Sequence, residues 1–332
     1  MAKLLVFIPC YNEEPHLREV LDRIPTCIKG VKTVDLLVID DGSTDATAEV
    51  ASSTDGVSVL RNRVNMGISL TFQRGIEYAL RSGYDIAVNI DGDGQFSPEE
   101  IPKLIQPILD GEADFVAGTR FANGDGTIRK KPEHMSVFKY YGNRLGAWIL
   151  SRLYQHRFTD VTCGFRAYNR NAMLSLNINN SLTYTQESFQ ILARERMAIV
   201  QCPITVLYDS DRKSRVVKSI SGFILGSAVG IIRTFRDHEP TRFFTFLGSL
   251  FFLPGVALDG FLLIHFLSTG RFSPYIFIGF VGAYLKGLGI LIWVVGFSAD
   301  MQRESRLNQE KILKMLKASQ GSMISDQQHE QD

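Results

Sequence analysis

The segment Ile86-Ala87-Val88-Asn89-Ile90-Asp91-Gly92-Asp93-Gly94-Gln95, followed at once by Ser97-Pro98-Glu99-Glu100, decides the architecture. Its first five residues form a short, β-rich apolar run, and two carboxylates follow at i and i+2. In extended backbone, side chains two apart point to the same side, so Asp91 and Asp93 address one ligand while the glycines admit it close to the main chain. Ser97 then offers a helix N-cap, Pro98 a first-turn proline and Glu100 a capping-box partner ahead of Ile101, Leu104, Ile105 and Ile108. Strand, acidic turn and helix in this order make a βα unit.

The pattern recurs on both sides. Residues 4–8, 36–40, 57–60 and 115–117 read as further strands, and Leu17, Val20, Leu21 and Ile24 keep helical spacing. Repeated βα units predict an α/β fold with a doubly wound, mostly parallel sheet. Farther on, helices are predicted over 137–154 and near 186–197, a strand near 199–207, and a candidate lid over 122–134.

Ligands of such sheets bind beyond the carboxyl ends of the strands, and those positions are polar here. Pro9, Tyr11 and Glu13 follow the first strand, Asp40, Asp41 and Asp45 the second, Asp91, Asp93 and Gln95 the fourth, and Arg120 the fifth. Four strand ends therefore converge on one acidic cleft. Carboxylate and amide oxygens suit Mg2+ or Mn2+, which could neutralise a nucleotide diphosphate and stabilise it as a leaving group. A structural alternative for Arg120 is an ion pair inside the fold. Neither G-x-G-x-x-G after a strand nor G-x-x-x-x-G-K-[ST] occurs, which excludes the dinucleotide fingerprint and the P-loop. Cys10, Cys27, Cys163 and Cys202 form no C-x-x-C pair, so neither a zinc site nor a disulfide framework is supported.

The chain has 332 residues, 36 Lys and Arg against 35 Asp and Glu, and a formal net charge of +1, which removes the electrostatic case for a nucleic-acid partner. That balance hides two apolar stretches. Residues 243–267 carry one carboxylate, Asp259, and residues 274–297 one ammonium, Lys286. At ~1.5 Å per residue each covers ~36 Å, enough for a hydrocarbon layer of ~30 Å. Arg233, Arg236 and Arg242 precede the pair and Arg303, Arg306, Lys311, Lys314 and Lys317 follow it, while the connection holds only Arg271. The excess of basic residues on the flanks puts both ends of the chain in the cytoplasm. Asp259 and Lys286 fall within about one turn of the same depth, within reach of an ion pair.

The expected organisation is a cytoplasmic domain over 1–215, an amphipathic juxtamembrane helix over 216–240, a two-helix transmembrane hairpin over 241–300, and a cytoplasmic helix with a disordered tail over 301–332. The final helix is a candidate for self-association, which makes a homo-oligomer one of the expected partners.

Pro9-Cys10-Tyr11-Asn12-Glu13-Glu14, Val38-Ile39-Asp40-Asp41-Gly42-Ser43-Thr44-Asp45, Arg61-Asn62-Arg63-Val64-Asn65-Met66-Gly67 and Asp91-Gly92-Asp93-Gly94-Gln95 occur in one order at one strand-end level. Here the sequence resembles the family 2 glycosyltransferases. With Arg120, with Thr159-Asp160-Val161-Thr162-Cys163-Gly164-Phe165-Arg166 and with a membrane hairpin, it looks like the dolichyl-phosphate mannose synthase group and its bacterial polyprenyl-phosphate relatives across residues 3–317.

The resemblance implies an A-type glycosyltransferase fold in which Pro9, Tyr11, Glu13 and Asp40 line the nucleotide, with Asp41 close by. It implies that Asp91, Asp93 and Gln95 surround a metal ion and the diphosphate, and that Arg120 binds phosphate. Asp91, Asp93, Asp160 and Arg120 are the candidate catalytic residues, with Asp160 expected to orient the donor sugar more than to abstract a proton, and Arg166 and the run Arg129-Lys130-Lys131 are candidates to receive an anionic acceptor headgroup. Near residues 209–215 the family pattern survives only in its Ser and final base, which leaves Arg212, Ser214 and Arg215 as candidates for a diphosphate clamp. Glu187 resembles an acid on the acceptor-side helix.

The implied activity is inverting transfer of one sugar from a UDP- or GDP-linked donor to a polyprenyl phosphate at the bilayer. A processive polysaccharide synthase is the alternative within the superfamily, although a Q-x-x-R-W segment and additional spans are absent from this sequence. A membrane-anchored nucleotide-binding module without turnover is the non-enzymatic alternative.

Overall fold

The computed structural model describes residues 1–123, 127–128, 131–132, 135–178, 184–207, 236 and 239–329. The chain divides into two compact units, one of residues Met1–Arg215 with Leu313–Asp332, the other of residues Val216–Ile312.

In the first unit, β1 (Ala2–Cys10), β2 (Val31–Asp40), β3 (Val57–Arg61), β4 (Ile86–Asn89), β5 (Phe115–Thr119), β6 (Arg166–Asn169) and β7 (Ile199–Pro203) form one sheet in the order β3-β2-β1-β4-β6-β5-β7. All neighbours run parallel except at β6, which lies antiparallel to both β4 and β5. The helices are α1 (Glu14–Asp22), α2 (Thr47–Ser52), α3 (Ile68–Arg81), α4 (Ile101–Leu109), α5 (Val137–Tyr154), α6 (Arg170–Ser175) and α7 (Tyr184–Arg194).

The central strands are buried on both faces, which is why they read as unbroken apolar runs. Leu5 and Phe7 of β1 join Leu37, Phe72, Phe115, Tyr168 and Phe189 in one core layer, while Leu4, Val6 and Ile8 join Leu17, Val38, Val88, Ile101 and Leu104 in the other. Sheet and helix layers thus reproduce the doubly wound α/β fold expected from the repeated βα units, with β6 as its one antiparallel insertion.

Register brings the functional ends to one level. Cys10 pairs with Asp40 and Asp40 with Arg61, while Phe7 pairs with Asn89 and Asn89 with Arg166.

Two local expectations are corrected. Ser97 makes no side-chain cap; Pro98–Glu100 form a 3-10 turn before α4, and the Glu100 carboxylate accepts from the Thr205 backbone N–H at 2.8 Å. A tertiary partner outcompetes the local capping box. β6 was not foreseen because an arginine-led stretch of four residues, Arg166-Ala167-Tyr168-Asn169, has no strand pattern of its own, and only the gap between β4 and β5 makes it one.

In the second unit, α8 (Pro240–Thr269) and the apolar start of α9 (Ile276–His329) are each long and apolar enough to cross a membrane. They begin and end within a few residues of the stretches read from sequence. Their contact is lined by glycines. A side chain at Gly248 would strike Trp293, one at Gly255 the backbone of Gly282 and Lys286, and one at Gly289 the backbone of Gly248, so the two helices approach closely. Trp293 Nε1 donates to the Thr245 carbonyl at 3.2 Å, and Lys286 pairs with Asp259.

α9 continues without interruption through His329, which corrects the expectation of a separate helix and a disordered tail. No proline or glycine occurs between Phe297 and Gln320 to stop it. The expected juxtamembrane helix at 216–240 lies almost wholly outside the described residues.

In a bilayer, replacing either partner of the Asp259–Lys286 pair alone would leave an unpaired charge in the apolar layer, at a cost of about 3 kcal/mol. Asp259→Leu and Lys286→Leu should each lower unfolding stability in bilayers by that order, and the double variant should recover most of the loss.

Candidate active site

The site is built where β1, β2, β4 and β5 end. Two loops are stitched together first. The Asn12 Oδ1 accepts from the Thr44 N–H at 2.8 Å, the Ser43 Oγ accepts from the Asn12 N–H at 3.0 Å, and the Thr47 Oγ1 accepts from the Glu13 N–H at 2.9 Å. Asn12 takes a left-handed φ of 55, a conformation asparagine tolerates better than most residues. This fixes the segment bearing Tyr11 and Glu13 against the loop after β2.

Asp40 is fully buried. Its Oδ1 accepts from the Ser43 N–H at 2.9 Å, and its Oδ2 lies 3.0 Å from Arg61 Nε without hydrogen-bond geometry, so one buried oxygen keeps acceptor capacity. Asp41 behaves differently. Its Oδ1 accepts from Asn62 Nδ2 at 2.7 Å and from the Met66 N–H at 2.8 Å, and its Oδ2 from the Gly67 N–H at 2.9 Å. Both oxygens hold the loop entering α3, so Asp41 shapes the pocket wall. Pro9 is buried within β1 and Tyr11 is exposed at its end.

Asp91 and Asp93 follow β4 and are both half-buried. Burial and then the Asp93 carboxylate push the Asp91 pKa up to about 7, against the opposing pull of Arg166 and Arg120. Gly164 makes this placement possible, because a Cβ there would lie 2.6 Å from Asp91 Oδ2. Asp93 Oδ1 accepts from the Gln95 N–H at 3.1 Å, and the Gln95 carbonyl accepts from the Leu207 N–H at 2.9 Å, tying this turn to the chain beyond β7.

A divalent cation fits this chemistry. Among the described residues no three His, Cys, Asp or Glu gather as a metal cage, but two adjacent carboxylates whose like charges oppose each other suit a hard cation completed by phosphate and water oxygens.

On the other side of the cleft, Arg120 and Asp160 form a buried bidentate pair, Nε to Oδ2 at 2.7 Å and Nη2 to Oδ1 at 3.0 Å. The Thr162 N–H and Oγ1 also donate to Asp160 Oδ1, at 3.1 and 3.2 Å. Burial alone would raise the Asp160 pKa, yet the Arg120 guanidinium and these hydrogen bonds hold its carboxyl below the usual carboxylate range. Asp160 is therefore a fully buried, ionised anchor for Arg120. The ion pair inside the fold that is the structural alternative for Arg120 is present, and Arg120 Nη2 also donates to Thr162 Oγ1 at 2.7 Å.

Arg166 is also corrected. It is fully buried, with hydrogen bonds to the carbonyls of Cys163, Val161 and Thr185, and does not reach any surface where a headgroup could meet it. Lys131 is exposed and folds back onto the Met135 carbonyl at 2.7 Å. Arg129, Lys130, Asp209, Arg212, Ser214 and Arg215 lie outside the described residues. Glu187 sits half-buried in the first turn of α7.

Sequence reasoning passed over Lys139. It lies in the first turn of α5, where the Ser136 Oγ accepts from its N–H at 3.2 Å. Burial and then Arg120 lower its pKa, while Asp160 and Asp93 act the other way, so its ammonium belongs to the cleft. A lysine at a helix start opposes the helix dipole, and that local misfit was the available signal.

With this geometry described, comparison with known proteins is informative. Residues 5–175 match the family described as Glycosyl transferase family 2. The polyprenol monophosphomannose synthase of Mycolicibacterium smegmatis is 30% identical over 213 residues, covering 61% of this chain and 77% of that protein. The undecaprenyl-phosphate 4-deoxy-4-formamido-L-arabinose transferase of Salmonella newport is 27% identical over 312 residues, 89% of each chain. Among solved structures, glucosyl-3-phosphoglycerate synthase from Mycobacterium tuberculosis, in complex with Mn2+, uridine diphosphate and glucosyl-3-phosphoglycerate, superposes with a TM-score of 0.51 at 21% identity, covering 71% of this chain and 80% of that one. The sheet, its acidic strand ends and these likenesses define a glycosyltransferase of the A-type fold. This chain belongs to glycosyl transferase family 2, and within it to the polyprenyl-phosphate sugar transferase group.

Two outcomes follow from the geometry. Gly164→Ala should displace the Asp91 carboxylate and lower turnover at least about tenfold, with little change in thermal midpoint, because the clash falls on one side chain end. Asp160→Asn should abolish most activity and cost about 3–5 kcal/mol at neutral pH, since it leaves the Arg120 charge buried without its partner. A depressed carboxylate pKa contributes stability above its unfolded value of about 3.9 and loses it as pH falls. The gap between wild type and Asp160→Asn, read from denaturation curves, should therefore close as pH drops below about 4.

Proposed function

We propose that this chain transfers a single sugar from a nucleotide sugar to the phosphate of a polyprenyl phosphate, with inversion at the anomeric carbon. The observation that carries the reading is the pairing of an acidic strand-end turn, Asp91 to Gln95, with the buried Arg120–Asp160 clamp across the same cleft, in a chain with two membrane-length helices. Relatives named for transfer to polyprenol and undecaprenyl phosphate support the acceptor class.

In this reaction an acceptor phosphate oxygen attacks C1 of the sugar, the bond from C1 to the β-phosphate oxygen breaks, and a nucleoside diphosphate leaves with the electron pair. A phosphate monoester with a second pKa of about 6 is largely ionised at neutral pH, so no protein base has to remove a proton. That agrees with Asp160 being held ionised and enclosed by donors. Asp40, with its remaining acceptor capacity, and the stitched Tyr11–Glu13 segment bind and orient the nucleotide. Arg120, fixed by Asp160, offers a guanidinium suited to phosphate, and Lys139 adds a second positive charge to the cleft.

A bound Mg2+ or Mn2+, held by Asp91, Asp93 and Gln95, would neutralise charge developing on the departing diphosphate. The basic flanks of the spans support a cytoplasmic catalytic unit and cytoplasmic termini, and Arg129, Lys130, Arg212, Ser214 and Arg215 remain the proposed contacts to headgroup and diphosphate.

The test is transfer of label from a panel of UDP- and GDP-sugars into an organic-extractable polyprenyl phosphate, with and without EDTA. One donor should give labelled lipid, and Asp93→Ala or chelation should reduce it at least about a hundredfold. No labelled lipid from any donor, beside an active control synthase, would refute the acceptor class.

A further inference from the structure

Arg166 opens β6 with no exposed surface, and no carboxylate among the described residues forms an ion pair with it. A buried cation is costly unless its donors are satisfied, and here peptide oxygens satisfy them. Nε donates to the Cys163 carbonyl at 2.6 Å and Nη2 to the Val161 carbonyl at 3.2 Å, while Nη1 donates to the Thr185 carbonyl at 2.7 Å and to Ser188 Oγ at 2.5 Å. The guanidinium also packs against the rings of Phe115, Tyr184 and Phe189, 5.0–5.8 Å from their centroids.

Those oxygens come from two places. Val161 and Cys163 belong to the loop that leads from Asp160 to Gly164, and Thr185 and Ser188 belong to the first turns of α7. That loop holds both supports of the cleft, the carboxylate that aims Arg120 and the glycine on which the Asp91 carboxylate rests. Asn89, paired in register with Arg166, closes the ring: its Nδ2 donates to the Gly164 carbonyl at 2.7 Å and lies 3.3 Å from Tyr184 Oη. Gln201 of β7 holds the loop's outer end, its Oε1 accepting from the Thr159 N–H at 2.6 Å and its Nε2 donating to the Asp160 carbonyl at 2.6 Å.

We infer that Arg166 is a positioning residue, a buried cation that locks the 159–165 loop to α7 and so sets Arg120, through Asp160, and Asp91, through Gly164, in one geometry. The consequence for turnover rests on the transferase reading; the locking itself does not. Lysine keeps the charge but cannot reach four acceptors in different directions from one planar group, so the conservative change breaks the lock while leaving a cation in place.

The experiment uses the full-length chain in detergent, with amide hydrogen exchange and steady-state transfer measured on Arg166→Lys and Ser188→Ala. Arg166→Lys should speed exchange over residues 159–165 about tenfold or more, with β1 and β2 amides protected as in wild type. Ser188→Ala, which removes one acceptor, should give a smaller increase in the same segment and decides the question by the same criterion should Arg166→Lys not fold. Turnover of Arg166→Lys should fall about tenfold, and adding the change to Arg120→Lys should cost less than it costs alone, because both act through one unit. Unchanged protection at 159–165, a loss spread equally over β1 and β2, or effects on turnover that multiply would overturn the inference. A wild-type protein that transfers no sugar would refute the proposed function instead, and the exchange pattern would still decide this one.

Discussion

The constraint on which this structure depends is the burial of charge at the carboxyl end of an apolar sheet. A carboxylate or guanidinium taken out of water costs several kcal/mol unless opposite charge or peptide dipoles replace its hydration. Three solutions stand side by side here. Asp160 and Arg120 neutralise each other through two parallel hydrogen bonds, Arg166 is held by peptide carbonyls, and Asp41 is held by backbone and amide N–H groups. Asp91 stands beside the like charge of Asp93, which with burial raises its pKa against the pull of Arg166 and Arg120, a setting that suits a hard cation.

These solutions also divide the labour of the cleft. Groups whose oxygens or nitrogens are fully engaged by the protein build walls and supports, while groups with capacity left face a ligand. Asp91 and Lys139 fall in the second class; Asp41, Asp160 and Arg166 fall in the first. The thiols beside the cleft take no part in it: burial pushes Cys163 up to about 12 and Cys10 well above its ordinary value, which leaves both inert.

The two helices long and apolar enough to cross a membrane obey the same physics. Glycines at the helix contact bring two backbones together, and the opposed charges of Asp259 and Lys286 meet across that contact, an arrangement that suits a bilayer, where a single charge would be costly.

Much of this was legible in the sequence because it is local. Short unbroken apolar runs located β1 to β5 and helical spacing located α1 and α4, which puts Asp91, Asp93, Asp40 and Arg120 at strand ends. Two helices long and apolar enough to cross a membrane were legible from length and charge alone. What the tertiary structure decided is which charged residue faces inward. Arg166 and Arg120 look alike in sequence, each an arginine at the edge of an apolar run, yet β6 inserts one between β4 and β5 and leaves the other bound to Asp160 at the cleft. Whether a side chain's donors meet a substrate or the protein's own carbonyls depends on contacts between residues tens of positions apart, and no local pattern encodes them.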